Sequence, residues 1–215
     1  LSRGLGDVYK RQLDVVIGSH THSDHVGSMP YLLDAFDVGK YVMSEAGLET
    51  RIQKRINAVL EEKDIPCSYV WAGDVIDWDS DCKVTVLSPV PEFDEYSKTD
   101  WNEWSLIMRV EYANHSMIFT GDATVRSEQA AMLNNEKYLF DADVLKVPHH
   151  GVYNSKLEDY FSKVNMKYAV ITCSDKNPAE QKTLDLLTAK GCRTFLTLNG
   201  TVHIRSTKSG IDITQ

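Results

Sequence analysis

The sequence predicts a single mixed domain, α/β of the α+β kind, in which two sheets lie between helices as an αββα sandwich. The chain has 215 residues, of which 42% are hydrophobic, so it can fill one large core but not two. Its middle part is rich in short strands bounded by turn residues, whereas its last third alternates strands with helices. A strand-rich part and a mixed part within one domain fit this sandwich.

In the first part of the chain, apolar residues recur with the periods of strands and helices in turn. A β-branched run stopped by Gly18 predicts a buried strand that enters a loop, and the apolar stripe of Leu48–Glu61 predicts a surface helix with one charged face. The predicted elements here are a strand at 13–17, a helix at 26–36, a strand at 40–43 and a helix at 48–61.

The middle part predicts antiparallel strands, because turn formers separate its short apolar runs. The predicted strands are 67–71, 75–78 and 83–87, followed by an irregular loop at 88–103 and a hairpin of 105–112 with 116–120. The last third predicts helices at 124–133, 155–164 and 179–190 between strands at 143–147, 168–172 and 193–198, then a turn at Gly200 and a short hairpin partner at 201–205. This alternation is typical of βαβ units.

Residues 1–12 carry two glycines and four charges and share no periodicity with the strand that follows. We therefore expect a non-native or disordered leader, ahead of a domain that spans 13–215. No apolar run approaches the roughly 18 residues of a membrane-spanning helix, and the start lacks the apolar stretch of a secretion signal, so we expect a soluble chain without membrane contact.

The charge balance is acidic, with 31 acidic residues against 23 basic ones and a formal net charge of -8. A chain of this kind has no overall basic field to attract polyanions, so any nucleic-acid contact must be local. The four cysteines lie far apart without a CxxC pair, which argues against a cysteine-based zinc site. We expect buried thiols rather than disulfides.

Three of the seven histidines fall within the six residues HTHSDH at 20–25. In a loop that leaves a buried strand, residues at i and i+2 can both turn inward, and imidazoles together with the carboxylate of Asp24 suit zinc, manganese or iron. The alternative is a solvated polar loop or a self-satisfied hydrogen-bond cluster. The clustering favours the metal site.

Two further strand ends carry residues of the same kind. The stretch FTGD ends in Asp122, whose two oxygens can bridge two cations, and the stretch KVPHHG carries Lys146 and the pair His149 and His150. Each stretch alone is weak, since Gly-Asp turns and histidines in polar turns are common. Because three strand ends carry ligand-type residues, they strengthen one another and predict one shared site.

The order HTHSDH, Val26-Gly27, FTGD and KVPHHG resembles the metallo-β-lactamase superfamily, whose signature is HxHxDH. The stretches WSLIMR at 104–109 and ADVLKVPHHG at 142–151 are most similar to the hydrolase domain of ComEC-type competence proteins and its free-standing relatives. The resemblance covers about 13–207. It implies a metallo-β-lactamase sandwich that lacks its opening strands, because relatives carry several strands before HxHxDH.

The resemblance also implies site residues by position, with one metal at His20 and His22, a second at Asp24 and His25, and Asp122 bridging them. The expected metal ligands are His20, His22, Asp24, His25, Asp122 and His149, and the expected catalytic residues are Asp24, Asp122 and His150. Substrate contacts are expected from Asn102, Ser105, Lys146, His150 and Asn177. Lys146 either faces a phosphate or caps its strand.

Asn177 departs from the family pattern. Relatives carry an NxxGHP-like stretch whose histidine completes the second metal site, and this chain has SDKNP at 174–178 instead. An amide oxygen is a poorer zinc ligand than an imidazole, so the site is expected to hold one or two divalent ions, Zn or Mn.

The resemblance implies hydrolysis by metal-activated water, with a phosphodiester such as single-stranded DNA as substrate and an extracytoplasmic location. The loop at 91–103 argues against a nucleic-acid groove, because it contains one basic residue, Lys98, and five acidic residues: Glu92, Asp94, Glu95, Asp100 and Glu103. Its aromatic residues Phe93, Tyr96, Trp101 and Trp104 can stack on bases or pack over the core, and packing is favoured. A small ester, a cell-wall phosphodiester or a lactone, or a non-catalytic binding role, are the alternatives.

Overall fold

The computed structural model describes residues 12–91, 93 and 96–215. Most of the predicted leader (1–11) and three acidic residues of the 91–103 loop, Glu92, Asp94 and Glu95, lie outside the described residues. Gln12, the last residue assigned to the leader, belongs to the first strand and pairs with Asp37.

The described strands are β1 (Gln12–Leu13), β2 (Val16–Gly18), β3 (Asp37–Val38), β4 (Tyr41–Met43), β5 (Cys67–Tyr69), β6 (Val75–Asp79), β7 (Cys82–Ser88), β8 (Ile107–Tyr112), β9 (His115–Phe119), β10 (Val144–Lys146), β11 (Tyr168–Ile171), β12 (Arg193–Leu196), β13 (His203–Thr207) and β14 (Gly210–Thr214). The described α-helices are α1 (Ser23–Val26), α2 (Met29–Ala35), α3 (Arg51–Glu62), α4 (Val125–Asn134), α5 (Leu157–Lys163) and α6 (Gln181–Ala189). Short 3₁₀ turns lie at Trp101–Trp104, Lys137–Phe140 and Thr197–Asn199, and Pro148–Gly151 forms a tight turn with non-helical dihedrals.

Two sheets form the centre of the fold. The larger has seven strands in the order β12-β11-β10-β9-β8-β7-β6, antiparallel from β6 to β9 and parallel from β9 to β12. The smaller is β2-β4-β5 and is entirely parallel. The prediction that β5 joins the antiparallel middle region was wrong, because α3 lies between β4 and β5 in the chain and such a crossover makes the two strands parallel.

Side-chain alternation along the strands separates the layers. In β4, Tyr41 and Met43 pack with Leu33 of α2 and Ile56 of α3, whereas Val42 faces the larger sheet. In the larger sheet, one face packs against α4, α5 and α6, and the other meets the smaller sheet through residues such as Val84 of β7. The αββα sandwich is therefore confirmed.

The hairpin β13-β14 covers the parallel end of the larger sheet. Ile213 of β14 packs with Val144, Val170 and Phe195 of three neighbouring strands. The sequence analysis predicted 201–205 as a hairpin partner of the strand at 193–198, and this was wrong: β13 pairs with β14, while β12 pairs in parallel with β11. The turn at Gly200 separates the two elements, since its φ of 134° is a conformation that L side chains rarely adopt.

The predicted helix at 26–36 is interrupted. Gly27 and Ser28 separate α1 from α2, and Pro30 occupies the first turn of α2, where the missing N–H of a proline costs no hydrogen bond. The long helix starts at Arg51 rather than Leu48, because Gly47 turns the chain with a φ of 66° and the Thr50 side chain caps the helix by accepting from the Gln53 N–H.

All four cysteines lie among the described residues and carry free thiols. The expectation of thiols rather than disulfides is therefore confirmed, but the expectation that they are buried was wrong, because Cys67 is exposed and the other three are half-buried. No helix within the described residues has the length and apolar character that crossing a bilayer demands.

Candidate metal centre

The candidate centre lies at one edge of the larger sheet, where β9 and its parallel neighbours β10 and β11 end. The chain after β9 carries Asp122 and the chain after β10 carries His150, so the parallel register brings both residues to the same edge. The HTHSDH loop arrives from β2 in the opposite sheet. The Leu106 N–H donates to the carbonyl of Ser19 (2.9 Å), which fixes that loop beside the start of β8.

Four side chains converge there. Ligand-type atoms of Asp24, His25, Asp122 and His150 all lie within 4.8 Å of one another. The Nε2 atoms of His25 and His150 are 3.3 Å apart, and each lies 3.1 Å from one oxygen of Asp122. Asp24 is largely exposed, and its Oδ2 lies 3.4 Å from His150 Nε2 and 3.6 Å from His25 Nε2.

His20 and His22 flank this group rather than joining it. The His20 ring centroid is 4.2 Å from that of His25, and His20 Nε2 lies 3.2 Å from His22 Nδ1. Burial, reinforced by the neighbouring His25, lowers the pKa of His20 to about 3. His20 is therefore neutral at physiological pH, which leaves a ring nitrogen able to donate a lone pair to a cation.

Asp122 is the buried carboxylate of the centre, with 3% of its surface exposed. Burial alone would raise its pKa, but contacts with His150 and His25 and the charge of Lys146 hold the pKa well below its usual range. Its backbone N–H donates to Ser105 Oγ (3.0 Å), whereas Oδ1 is buried and receives no well-aligned hydrogen bond within the described chain, although His25 Nε2 lies 3.1 Å away. A buried carboxylate oxygen without a well-aligned hydrogen-bond donor is suited to bind a cation. The donor set of two imidazoles and two carboxylates is suited to the same role.

His150, not His149, reaches the centre. Both residues have positive φ, 45° for His149 and 54° for His150, so the chain turns sharply after Pro148 and directs the second ring inward. The Thr172 carbonyl holds the other ring nitrogen of His150 at 2.7 Å, and the hydrogen bond with Asp122 raises the pKa of His150. His149, like His20 and His22, lies outside the four-residue group, and its expected ligand role stays a prediction.

Of the remaining predicted site residues, Ser105 and Lys146 lie beside Asp122. Ser105 is buried and supports the Asp122 backbone, while Lys146 donates to the Gly121 carbonyl (2.5 Å) and lies 3.6 Å from Asp122 Oδ1. Lys146 thus links the strand end to Asp122. Asn102 is half-buried with an unpartnered Oδ1, and Asn177 is exposed in a turn with Ser174, with no contact to the centre within the described chain.

The sequence analysis missed two supporting residues. Ser19 Oγ lies 3.2 Å from His20 Nδ1 and 3.3 Å from His25 Nδ1, and Thr172 holds His150 through both its carbonyl and its hydroxyl. Ser19 directly precedes the histidine motif, and Thr172 follows the strand next to β10. Each position was a detectable signal, because residues that fix ligand tautomers occupy such neighbouring positions.

One acidic residue of the loop before β8 is held in an ion pair. Glu103 is buried and pairs with Arg126 (3.2 Å) while accepting from the Ser97 N–H (2.5 Å). Tyr96 and Trp104 stack at 5.0 Å and pack with Phe93, which confirms core packing for these three aromatic residues.

Comparisons with known proteins agree with this geometry. Residues 9–174 match the family described as the Metallo-beta-lactamase superfamily. The chain belongs to the metallo-beta-lactamase superfamily. This superfamily chain is 32% identical over 199 residues to ComE operon protein 3 of Bacillus subtilis (strain 168), an alignment covering 91% of this chain and 25% of that protein. It thus spans a quarter of the relative's length.

Solved structures show the same fold at low identity. Igni18, a metallo hydrolase from the hyperthermophilic archaeon Ignicoccus hospitalis KIN4/I, superposes with a TM-score of 0.59 at 13% identity, covering 98% of this chain and 84% of that one. Zn(2+)-bound PqqB from Methylobacterium extorquens gives 0.52 at 12% identity, covering 85% and 71%. The predicted superfamily and fold are confirmed, and the chain carries a candidate metal site.

Proposed function

We propose that the protein is a metal-dependent phosphodiesterase. The observation that carries this proposal is the convergence of Asp24, His25, Asp122 and His150, whose ligand-type atoms lie within 4.8 Å of one another. These residues, with His20 and His22 beside them, would hold one or two divalent ions, Zn or Mn. When bound, a divalent ion supplies a Lewis acid and lowers the pKa of water toward neutrality.

The chain's own residues would prepare the site in distinct ways. Asp122 provides a fixed negative charge, because its surroundings keep it ionised even at low pH. His150 is oriented by Thr172 and can hold or release a proton at Nε2, next to the exposed carboxylate of Asp24. Lys146 contributes a cation that can offset negative charge on a substrate oxygen.

The phosphodiester substrate is inferred from similarity to the competence-type relative, which is 32% identical. A phosphodiester carries a negative charge, so an electrostatic centre that combines cations with Lys146 suits it. An ester or lactone substrate and a non-catalytic role are the competing functions. Asn177 is exposed in a turn with Ser174, and its expected contact with substrate stays a prediction.

The test pairs elemental analysis with turnover of bis-(p-nitrophenyl) phosphate in added manganese or zinc. We expect bound metal and turnover in the wild type, and loss of both in Asp122→Asn. Asp212→Asn is the matched control, since Asp212 is an exposed aspartate of β14. A metal-free protein without turnover would contradict the proposal, and turnover of a p-nitrophenyl ester alone would replace the substrate class.

A further inference from the structure

A groove runs outward from the histidine loop beside the candidate centre. Its volume is about 640 Å³, and its walls include His22, Arg51 and Arg55 of α3, Thr99 and Trp101. We call it the arginine groove. His22 connects it to the centre, since His22 Nδ1 lies 3.2 Å from His20 Nε2 and the His20 ring lies against His25.

The arginine groove is positively charged in an otherwise acidic protein. Glu49 pairs with Lys54 at 2.9 Å, but no carboxylate of a described residue lies within salt-bridge distance of Arg51 or Arg55. Both arginines are exposed. The Arg55 guanidinium lies over the Tyr31 ring, 5.6 Å from its centroid, and donates to the Tyr31 hydroxyl (3.4 Å), and neither contact neutralises its charge. Two unneutralised guanidinium groups therefore face a groove that begins at the centre.

The charges of α3 are arranged against the helix dipole. Arg51 lies in its positive first turn and Arg55 follows in the second turn, while Glu61 and Glu62 lie at its negative C-terminal end. Each such placement disfavours the helix slightly, so folding stability does not account for it. The arrangement instead concentrates positive potential beside His22, which favours an anion there.

Trp101 supplies a flat apolar surface to the same groove. Trp104, Tyr96 and Phe93 pack into one cluster, but no aromatic ring of a described residue pairs with Trp101. An indole that lines a groove without a ring partner can stack on a planar ligand group. The expectation that all four aromatic residues of the loop pack over the core therefore holds for three of them.

We propose that the arginine groove binds the nucleotides flanking the reacting phosphodiester of a single-stranded nucleic acid, with phosphates at Arg51 and Arg55 and a base against Trp101. This assignment rests on the proposed function. The two arginines are four residues apart on one helix face, with about 6 Å between their Cβ atoms, so flexible side chains can reach consecutive phosphates. Guanidinium groups bind phosphate through paired N–H donors, and an indole accepts any base.

Binding is measured by fluorescence anisotropy of a labelled oligo-dT strand in EDTA, over a series of salt concentrations. The double variant Arg51→Ala/Arg55→Ala should bind about tenfold more weakly at low salt, and the slope of log affinity against log salt should fall by about 1.4. The matched control Arg205→Ala/Lys208→Ala removes the same charge from the exposed residues of the β13-β14 hairpin and should bind as the wild type does.

Trp101→Ala separates the base contact from the charge contact. It should weaken oligo-dT binding at least about fivefold and leave binding of an abasic strand of equal length unchanged. Equal losses of oligo-dT affinity in the arginine variant and its hairpin control would contradict the groove proposal. Displacement of the strand by polyglutamate at equal charge concentration would contradict it as well.

The two proposals fail in different ways. Strand binding is measured without metal and turnover of bis-(p-nitrophenyl) phosphate is measured in wild type with metal, so the two results are independent. Unchanged strand binding in Arg51→Ala/Arg55→Ala would contradict the groove proposal whatever the turnover of wild type. Absence of that turnover, with salt-sensitive and arginine-dependent strand binding retained, would contradict the phosphodiesterase and keep the groove as a nucleic-acid site.

Discussion

Glu128 offers a direct test of how burial sets protonation in this fold. This glutamate of α4 is 1% exposed, and neither of its carboxyl oxygens has a hydrogen-bond partner among the described residues. Burial raises its pKa from 4.5 to about 8, and the nearby Asn154 side chain opposes this rise by a smaller amount, since it makes no well-aligned hydrogen bond with the carboxyl oxygens. Burial also raises the pKa of the Tyr160 hydroxyl, and the charge of Glu128 adds a smaller increase.

The sign of the effect follows from the two pKa values. Below about pH 4.5 the carboxyl is protonated in both the folded and the unfolded chain, so its folded-state contribution is fully present. Between 4.5 and about 8 the unfolded chain releases a proton that the folded chain retains, and stability falls with rising pH. The loss is about 1.4 kcal/mol per pH unit, which amounts to a few kcal/mol across the interval.

Glu128→Gln removes this titration while keeping the shape of the side chain. Relative to wild type, the free energy of unfolding of the variant should rise by about 1.4 kcal/mol per pH unit from about pH 5 to pH 8. The corresponding gain in Tm is about 2–4 °C per kcal/mol for a chain of this size. Urea and thermal unfolding in EDTA measure it, and comparison with wild type cancels the titration of the histidines.

Glu158→Gln is the control, because Glu158 is exposed on the neighbouring helix α5. Its difference from wild type should not vary with pH. The reasoning is refuted if the Glu128→Gln difference is constant across the interval, or if the wild type becomes the more stable of the two as pH rises.

Two further predictions concern backbone geometry and the centre. Gly47→Ala should lower the free energy of unfolding by at least about 1–2 kcal/mol, because φ is 66° and the new Cβ would lie 2.0 Å from Thr21 Oγ1. Gly73→Ala is the control, since nothing lies within 4 Å of its new Cβ, and it should lower the free energy of unfolding by less in the same urea titration. His150→Gln should weaken zinc binding in equilibrium dialysis about tenfold or more, whereas His149→Gln should change it little, and the reverse order would contradict the assignment of ligands.

The parts of the fold that depend on local pattern could be predicted from the sequence. The hairpin of β8 and β9, the alternation of the last third and the amphipathic α3 all follow from periodicity within short windows. The pairing of β5 with β4, and of β13 with β14, could not be predicted in the same way, since strand partners are chosen by packing across the whole domain.

The candidate site divides along the same line. The HTHSDH motif was detectable because it is a dense local signal. Asp122, in the weaker FTGD stretch, was detectable only together with that motif and the family resemblance. The choice between His149 and His150 depends on two positive φ values that the letters HHG do not reveal. Arg51 and Arg55 were assigned to an ordinary solvated face, because only the folded chain places that part of α3 beside His22.

The run His149-His150-Gly151 has positive φ at all three positions. For an L-residue this handedness costs about 1–2 kcal/mol each, so the segment is held in place by its surroundings and not by its own preference. Glycine or asparagine at position 149 would adopt this turn more readily than histidine does, while position 150 must keep its imidazole. If homologues vary the residue at position 149 and retain histidine at position 150, this pattern would reflect the backbone conformation of the turn as well as the chemistry of the site.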